Sequence, residues 1–400
     1  MWYFLFLIFA LVYRKLTIKI LIRFMTKNRK LFEEIDERSG NTQDSPTETS
    51  SVRQEFWLCI WLWTLLVSLV SLILVGGWTR LTDSGLSIVE WKPITGMIPP
   101  LNSEGWIVEF EKYKNIPEFK LVNFAITMEE FKFIYWWEWG HRQLARFIGL
   151  LWLVGFLVFW IRKKIPERWT FYFFGIGLLG ALQAFLGWWM VSSGLDGQVV
   201  DVFSYRLAIH LTMAFIILAL IFWAILFHSE SSVKIFESRR YRNKFSVNVL
   251  IGLGFLSYIQ LALGALVAGI DAGRSYNDWP LMNGHWIPVD LFEYEPFITN
   301  FFENAGLVQF NHRLTAYLLF FAVSIVWWTN RKSPYYKVRT ASNYLMTIVV
   351  VQMLLGIITV LYSAPLSLAS LHQFTAILFI LAYVNLLFKT YYPLSQEISS

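Results

Sequence analysis

A single cysteine, Cys59, is all the thiol this 400-residue chain contains, and it sits in an apolar run, so an internal disulfide and a cysteine-held metal cluster are both excluded. Charge is scarce too. Only 16% of residues are charged against 56% hydrophobic, and a mean hydropathy of +0.48 excludes an ordinary soluble domain. The net charge of +6 would point a soluble protein towards nucleic acid, but here Lys and Arg gather in short loops between apolar runs. No nucleic-acid partner is expected.

What is present instead is a set of apolar runs, near 56–77, 141–161, 169–191, 205–227, 245–269, 307–329, 341–362 and 368–388. A run of about 20 residues rising ~1.5 Å each crosses the hydrocarbon layer, so the chain reads as an all-α membrane protein of eight transmembrane helices in membrane lipid. The loops sort by charge. Arg162, Lys163, Lys164 and Arg168, then Lys234, Arg239, Arg240, Arg242 and Lys244, then Arg331, Lys332, Lys337 and Arg339 share one face, while 192–204 and 363–367 carry no basic residue. The positive-inside rule puts both termini in the cytoplasm or the mitochondrial matrix. The outer segment 78–135 reads as ordered loop and short helices, and the polar stretch 33–54 as disordered. Residues 1–32 hold seven basic residues and no acid, as a mitochondrial presequence does. Their apolar start also suits an interfacial helix.

The chain repeats itself. Gln183-Ala-Phe-Leu-Gly187 returns as Gln352-Met-Leu-Leu-Gly356 and again as Gln260-Leu-Ala-Leu-Gly264; His141-Arg142 returns as His312-Arg313, and His210 as His372. Four spans per unit is an even number, which predicts a parallel internal repeat. The expected organisation is an N-terminal segment 1–55 followed by two pseudo-symmetric four-helix bundles, 56–228 and 229–400. Gly76, Gly77, Gly180, Gly187, Gly252, Gly254, Gly264 and Gly356 read as close-packing positions between helices.

Four of the six histidines stand out. His228 and His285 fall in loops without repeat partners and read as solvated. His141, His210, His312 and His372 each lie 17 to 21 residues before the inner end of a span, about 26–32 Å, which sets them in one ring near the outer edge of the membrane. A lone intramembrane histidine can be a mere helix contact, but four at one depth in duplicated pairs point to function. Zinc wants three or four converging ligands; two separate imidazole pairs suit heme iron, whose flat ring fits between helices. Arg142 and Arg313 then either meet heme propionates through paired hydrogen bonds or anchor their helices at the interface. Glu138, three residues before His141, shares its helix face. It reads either as a carboxylate that moves protons or stabilises developing positive charge, or as an interfacial acid capping a helix start. Trp136, Trp137 and Trp139 read as aromatic belt.

Gly76-Gly-Trp-Thr-Arg-Leu-Thr-Asp-Ser-Gly-Leu-Ser87, Trp91-Lys-Pro-Ile-Thr-Gly-Met-Ile-Pro-Pro100 and Glu138-Trp-Gly-His-Arg142 together resemble the heme A synthase family of mitochondrial and alphaproteobacterial type, over roughly residues 56–390. The resemblance implies oxidation of a heme O methyl to a formyl group, giving heme A for cytochrome c oxidase assembly. Such a conversion removes four electrons, most simply by two hydroxylations and loss of water from the diol. The resemblance also implies that His141 and His210 hold the substrate heme and that His312 and His372 ligate a resident heme B. It further implies an electron donor such as a ferredoxin, heme O synthase and oxidase assembly factors as neighbours, a homo-oligomer, and the mitochondrial inner membrane, with the bacterial plasma membrane as the alternative. Some bacterial relatives carry a cysteine pair in the first outer loop; this chain has none.

Two other classes compete. A bis-histidine cytochrome b oxidising quinol would also carry duplicated histidine pairs, though it would set hemes near both membrane faces. A transporter would show helices broken at the midplane, and none is evident here.

Overall fold

The computed structural model describes residues 47–195 and 199–393, with backbone alone over 47–55. The presequence-like region 1–32 and the start of the polar stretch therefore lie outside the described residues. Residues 47–54 differ from the expected disorder, because the first helix runs back through them. Extending a helix already nucleated by an apolar run is far cheaper than starting one.

Eight long helices follow one another: α1 Thr47–Leu81, α2 Met128–Ile161, α3 Glu167–Leu195, α4 Ser204–His228, α5 Lys244–Gly269, α6 Ala305–Asn330, α7 Tyr336–Leu361 and α8 Leu366–Tyr391. Among the described residues there is no strand, only an isolated bridge between Met282 and His285. Seven of the helices are long and apolar enough to cross a membrane. The exception is α6, the expected span at 307–329: it is 26 residues long, but Gln309, Asn311, His312 and Arg313 fill its second turn.

α2 starts well before its apolar run. Thr127 caps it in a capping box with Glu130. Glu138 thus lies inside the helix, more than two turns from its beginning, so the reading of it as a helix-start acid is corrected. The outer segment before α2 is ordered as expected, with helices Ser103–Tyr113 and Pro117–Leu121 packed through Phe110, Tyr113, Ile116 and Phe131.

One apolar core joins Leu62 and Leu65 of α1, Phe215 and Leu218 of α4, Leu250 of α5 and Ile377, Ile380 and Leu386 of α8. α7 packs on α8, α4 on α5, α5 on α6 and α4 on α8. α2, α3 and α6 carry outward apolar stripes, such as Phe171, Phe174, Leu178, Leu182 and Phe185 on α3, the face a helix shows to lipid. His228 departs from the solvated reading. Its ring is half-buried beside Trp169, 4.6 Å away, and Phe173, because the end of α4 is covered by aromatic residues of α3. His285 is exposed.

Candidate functional site

His141 on α2, His210 on α4, His312 on α6 and His372 on α8 each lay an imidazole across a glycine of a neighbouring helix: Gly76 on α1, Gly187 on α3, Gly264 on α5 and Gly356 on α7. A methyl carbon added at those glycines would stand 2.8, 2.9, 3.0 and 3.0 Å from the ring Cε1. Any larger residue there would push the ring aside. The repeated Gln-x-x-x-Gly motif is therefore a histidine cradle, a role that spacing alone did not show. By contrast, Gly180 and Gly252 have nothing within 4 Å of an added methyl and are not close-packing positions.

The glutamine of each motif lies one turn before its glycine on the same helix face. Gln183 Nε2 is 3.2 Å from Nδ1 of His210 and 3.0 Å from its carbonyl; Gln260 Nε2 is 3.0 Å from Nδ1 of His312 and 3.1 Å from its carbonyl. Gln352 Nε2 is 3.3 Å from Nε2 of His372. On α1 the corresponding position is Leu72, and Nδ1 of His141 has no hydrogen-bond partner.

His141 lies within electrostatic reach of His210, and His312 of His372, so the four imidazoles fall into two pairs. Among the described residues no three His, Cys, Asp or Glu side chains converge on a point where an ion would sit. Nδ1 of His141 and of His372 and Oε1 of Gln183, Gln260 and Gln352 are buried without partners. Paired imidazoles with uncommitted nitrogens, kept clear of side chains by glycine and set between apolar helices, fit iron in a flat apolar macrocycle.

Above His141, Glu138 is almost completely buried and accepts four hydrogen bonds: from Ser87 Oγ at 2.8 Å, the Ile88 amide at 2.7 Å, and Arg142 Nη2 and Nε at 2.6 and 3.1 Å. Arg142 also donates to the carbonyls of Ile88 and Glu90. The second half repeats this arm. Arg313 donates to the carbonyls of Tyr276, Asp278 and Leu281 and to Gln309 Oε1 at 2.8 Å. Both guanidiniums are thus engaged by an outer loop, which is closer to the anchoring reading than to an open fork for propionates. The two loops match in sequence as well: Asp83, Gly85, Ser87, Trp91, Gly96 and Pro100 return 188 residues later as Asp271, Gly273, Ser275, Trp279, Gly284 and Pro288.

Arg80 belongs to the loop signature, which by itself assigns it no role. It is a hub: its guanidinium pairs with Asp83 at 2.8 Å and with Asp201 and Asp271 at 3.0 Å each, tying α1 to the loops after α3 and α5. The surplus of acids over bases in 192–204 and 270–304 was the available signal. Glu118, on the short outer helix, is also buried, and its Oε2 has no partner. Burial, then the charges of Asp201, Asp83 and Glu138, push its pKa up to about 8. Of the tryptophans around Glu138, Trp136 is exposed, while Trp137 meets Trp78 edge-on at 5.6 Å.

Residues 59–384 match COX15-CtaA, described as cytochrome oxidase assembly protein. The chain is 47% identical to a heme A synthase of Dinoroseobacter shibae over 94% of this chain and 99% of that protein. It is 43% identical to one of Roseobacter denitrificans over the same shares. It is also 48% identical to one of Paracoccus denitrificans, over 80% of this chain and 84% of the relative.

Proposed function

Because the chain belongs to the heme A synthase family, we propose that its two histidine pairs divide the family's work, His141 and His210 holding the substrate heme O and His312 and His372 a resident heme B. The chain is an oxidoreductase that converts heme O to heme A. The relatives carry the synthase name, not that of a quinol-oxidising cytochrome. The observation that carries the division is the pairing itself, His141 with His210 and His312 with His372, each ring seated on a glycine.

In this reading α1–α4 and α5–α8 are two four-helix bundles of one duplicated unit, and α6 is the eighth span. Its polar second turn is shielded by the loop that Arg313 grips, so lipid need not solvate it. Heme iron supplies the oxidising chemistry. The protein's own part is to fix two imidazoles per ring and to hold the outer loop over the first pair through Glu138 and Arg142. Glu138, with all four acceptor positions filled, serves as a fixed negative charge that favours a transition state gaining positive charge at the reacting carbon.

The named relatives are bacterial, which supports the plasma membrane with both termini in the cytoplasm over the mitochondrial inner membrane. A carrier such as a ferredoxin is the electron donor that the family implies. Heme O synthase is the neighbour that delivers substrate, and oxidase assembly factors receive the product. The test is to purify the full chain in detergent and extract its hemes for chromatography. Heme B together with heme O, heme A or a half-oxidised intermediate is expected; heme B alone, or no heme, overturns the proposal.

A further inference from the structure

Three of the four cradles are built alike and one is not. Gln183 and Gln260 each reach Nδ1 of the imidazole seated on their helix's glycine, and Gln352 reaches Nε2 of His372; each keeps an unpartnered Oε1 as a spare acceptor. A second hydrogen-bonding group beside a ligating imidazole fixes its ring orientation. His141 lies on Gly76 as the others lie on their glycines, but Leu72 stands where the glutamine would be. Its Nδ1 is buried without a partner, as is that of His372, but His372 still has Gln352 at its Nε2, whereas no glutamine reaches His141. His141 is also the histidine one turn from a buried carboxylate, Glu138.

We infer that His141 is the releasable ligand of the four, so that heme in the first pair stays on His210 while its His141 face opens to exchange and to small ligands. The inference rests on the reading that both pairs hold heme. It makes Gln183, Gln260 and Gln352 positioning residues, and Leu72 the residue whose apolar character keeps the first pair exchangeable.

The experiment uses the full chain in detergent, loaded with both hemes, reduced and mixed with carbon monoxide, following each heme by its own absorption band. The first-pair heme is expected to bind carbon monoxide and the second-pair heme not to. Leu72→Gln, which places an amide one turn before Gly76, should slow that binding about 10–100-fold, the usual scale of an outer-shell partner. Leu72→Met, similar in size without the amide's donor and acceptor, should leave it at the wild-type rate. Gln260→Leu should make the second-pair heme reactive, which keeps the test open if Leu72→Gln does not fold. Equal reactivity of the two hemes in the wild type, reactivity of neither, or no change in either variant overturns the inference. Absence of heme from one pair defeats the underlying reading instead, and extraction shows which has happened.

Discussion

Arg142 reaches back to the carbonyls of Ile88 and Glu90, and Arg313 to those of Tyr276 and Asp278, at loop positions that match between the two halves. The residue one turn before each arginine does not match: Glu138 in the first half, Gln309 in the second, 171 residues apart like the histidines they precede. Gln309 holds its arginine at 2.8 Å with no charge. Gln309 also donates its amide to the carbonyls of Ala272 and Tyr276, where Glu138 accepts from Ser87 and the Ile88 amide, so the second arm is anchored with no charge at this position and the first with one. The other departure from the repeat, Leu72 in place of glutamine, bears on the same histidine. Duplication has kept the frame and varied the surroundings of His141, and the chemistry is to be sought there.

The comparison is broken most severely at the four paired imidazoles. His312→Ala or His372→Ala is expected to remove the resident heme band from the purified protein, whereas His141→Ala or His210→Ala leaves that band in place and abolishes heme A formation. Loss of all heme in all four variants would mean that the pairs are not independent. Next in size is Glu138→Gln, which gives the first half the second half's residue. The amide keeps the shape and one acceptor oxygen, so it can still hold either Arg142 or the Ser87–Ile88 loop but not both through oxygen, and the resident heme should remain. Turnover should fall about 10²–10³-fold with heme O or a half-oxidised product accumulating, the scale of losing one charge-stabilising group. The reciprocal Gln309→Glu should change turnover little. Normal heme A production by Glu138→Gln would end the argument for a catalytic charge.

Part of this is legible in the chain. Seven of the eight expected spans are long apolar helices, and His141, His210, His312 and His372 are marked by their repeat. The rest has a physical cause in each case. The loop repeat runs at an offset of 188 but His141 and His312 are 171 apart and His210 and His372 162 apart; the first outer segment is longer, holding the helices Ser103–Tyr113 and Pro117–Leu121, so the loops fall out of step with the helices. The start of α2 was hidden by Glu129, Glu130 and Lys132, which are polar yet helical, although Thr127 and Glu130 spell a capping box. The cradle role of Gln-x-x-x-Gly depends on which helix lies opposite, and only tertiary packing decides that.

A finer comparison sets the cradle glycines against the open ones. Gly76→Ala, Gly187→Ala, Gly264→Ala and Gly356→Ala, each placing a methyl 2.8–3.0 Å from a ring, should lower the heme-to-protein ratio. Overpacking of this kind costs about 1–3 kcal/mol. Gly180→Ala and Gly252→Ala, which meet nothing within 4 Å, should retain heme fully. A pattern that ignores the distances would show that the glycines are there for helix flexibility.

The smallest effect concerns the outer segment that the first half has and the second lacks. Glu118 is 7% exposed, receives one amide hydrogen from Asn123 at 3.3 Å and leaves Oε2 without a partner. Its pKa stands at about 8 against an ordinary 4.5, because burial and the neighbouring charges of Asp201, Asp83 and Glu138 disfavour ionisation. In the folded state it is therefore protonated over a range where the unfolded chain is ionised. The stability this contributes is complete below pH 4.5 and is lost as pH rises to about 8, at no more than about 1.4 kcal/mol per pH unit. Glu118→Gln cannot ionise, so it should flatten that slope. The variant should match the wild type in thermal unfolding at pH 5 and exceed it at pH 8. Arg80, which holds Asp83 and Asp201, is untouched by the change, so the loops keep their tether to α1. Parallel melting curves across that range would mean that Glu118 titrates alike in the folded and unfolded chain and contributes no pH-dependent stability.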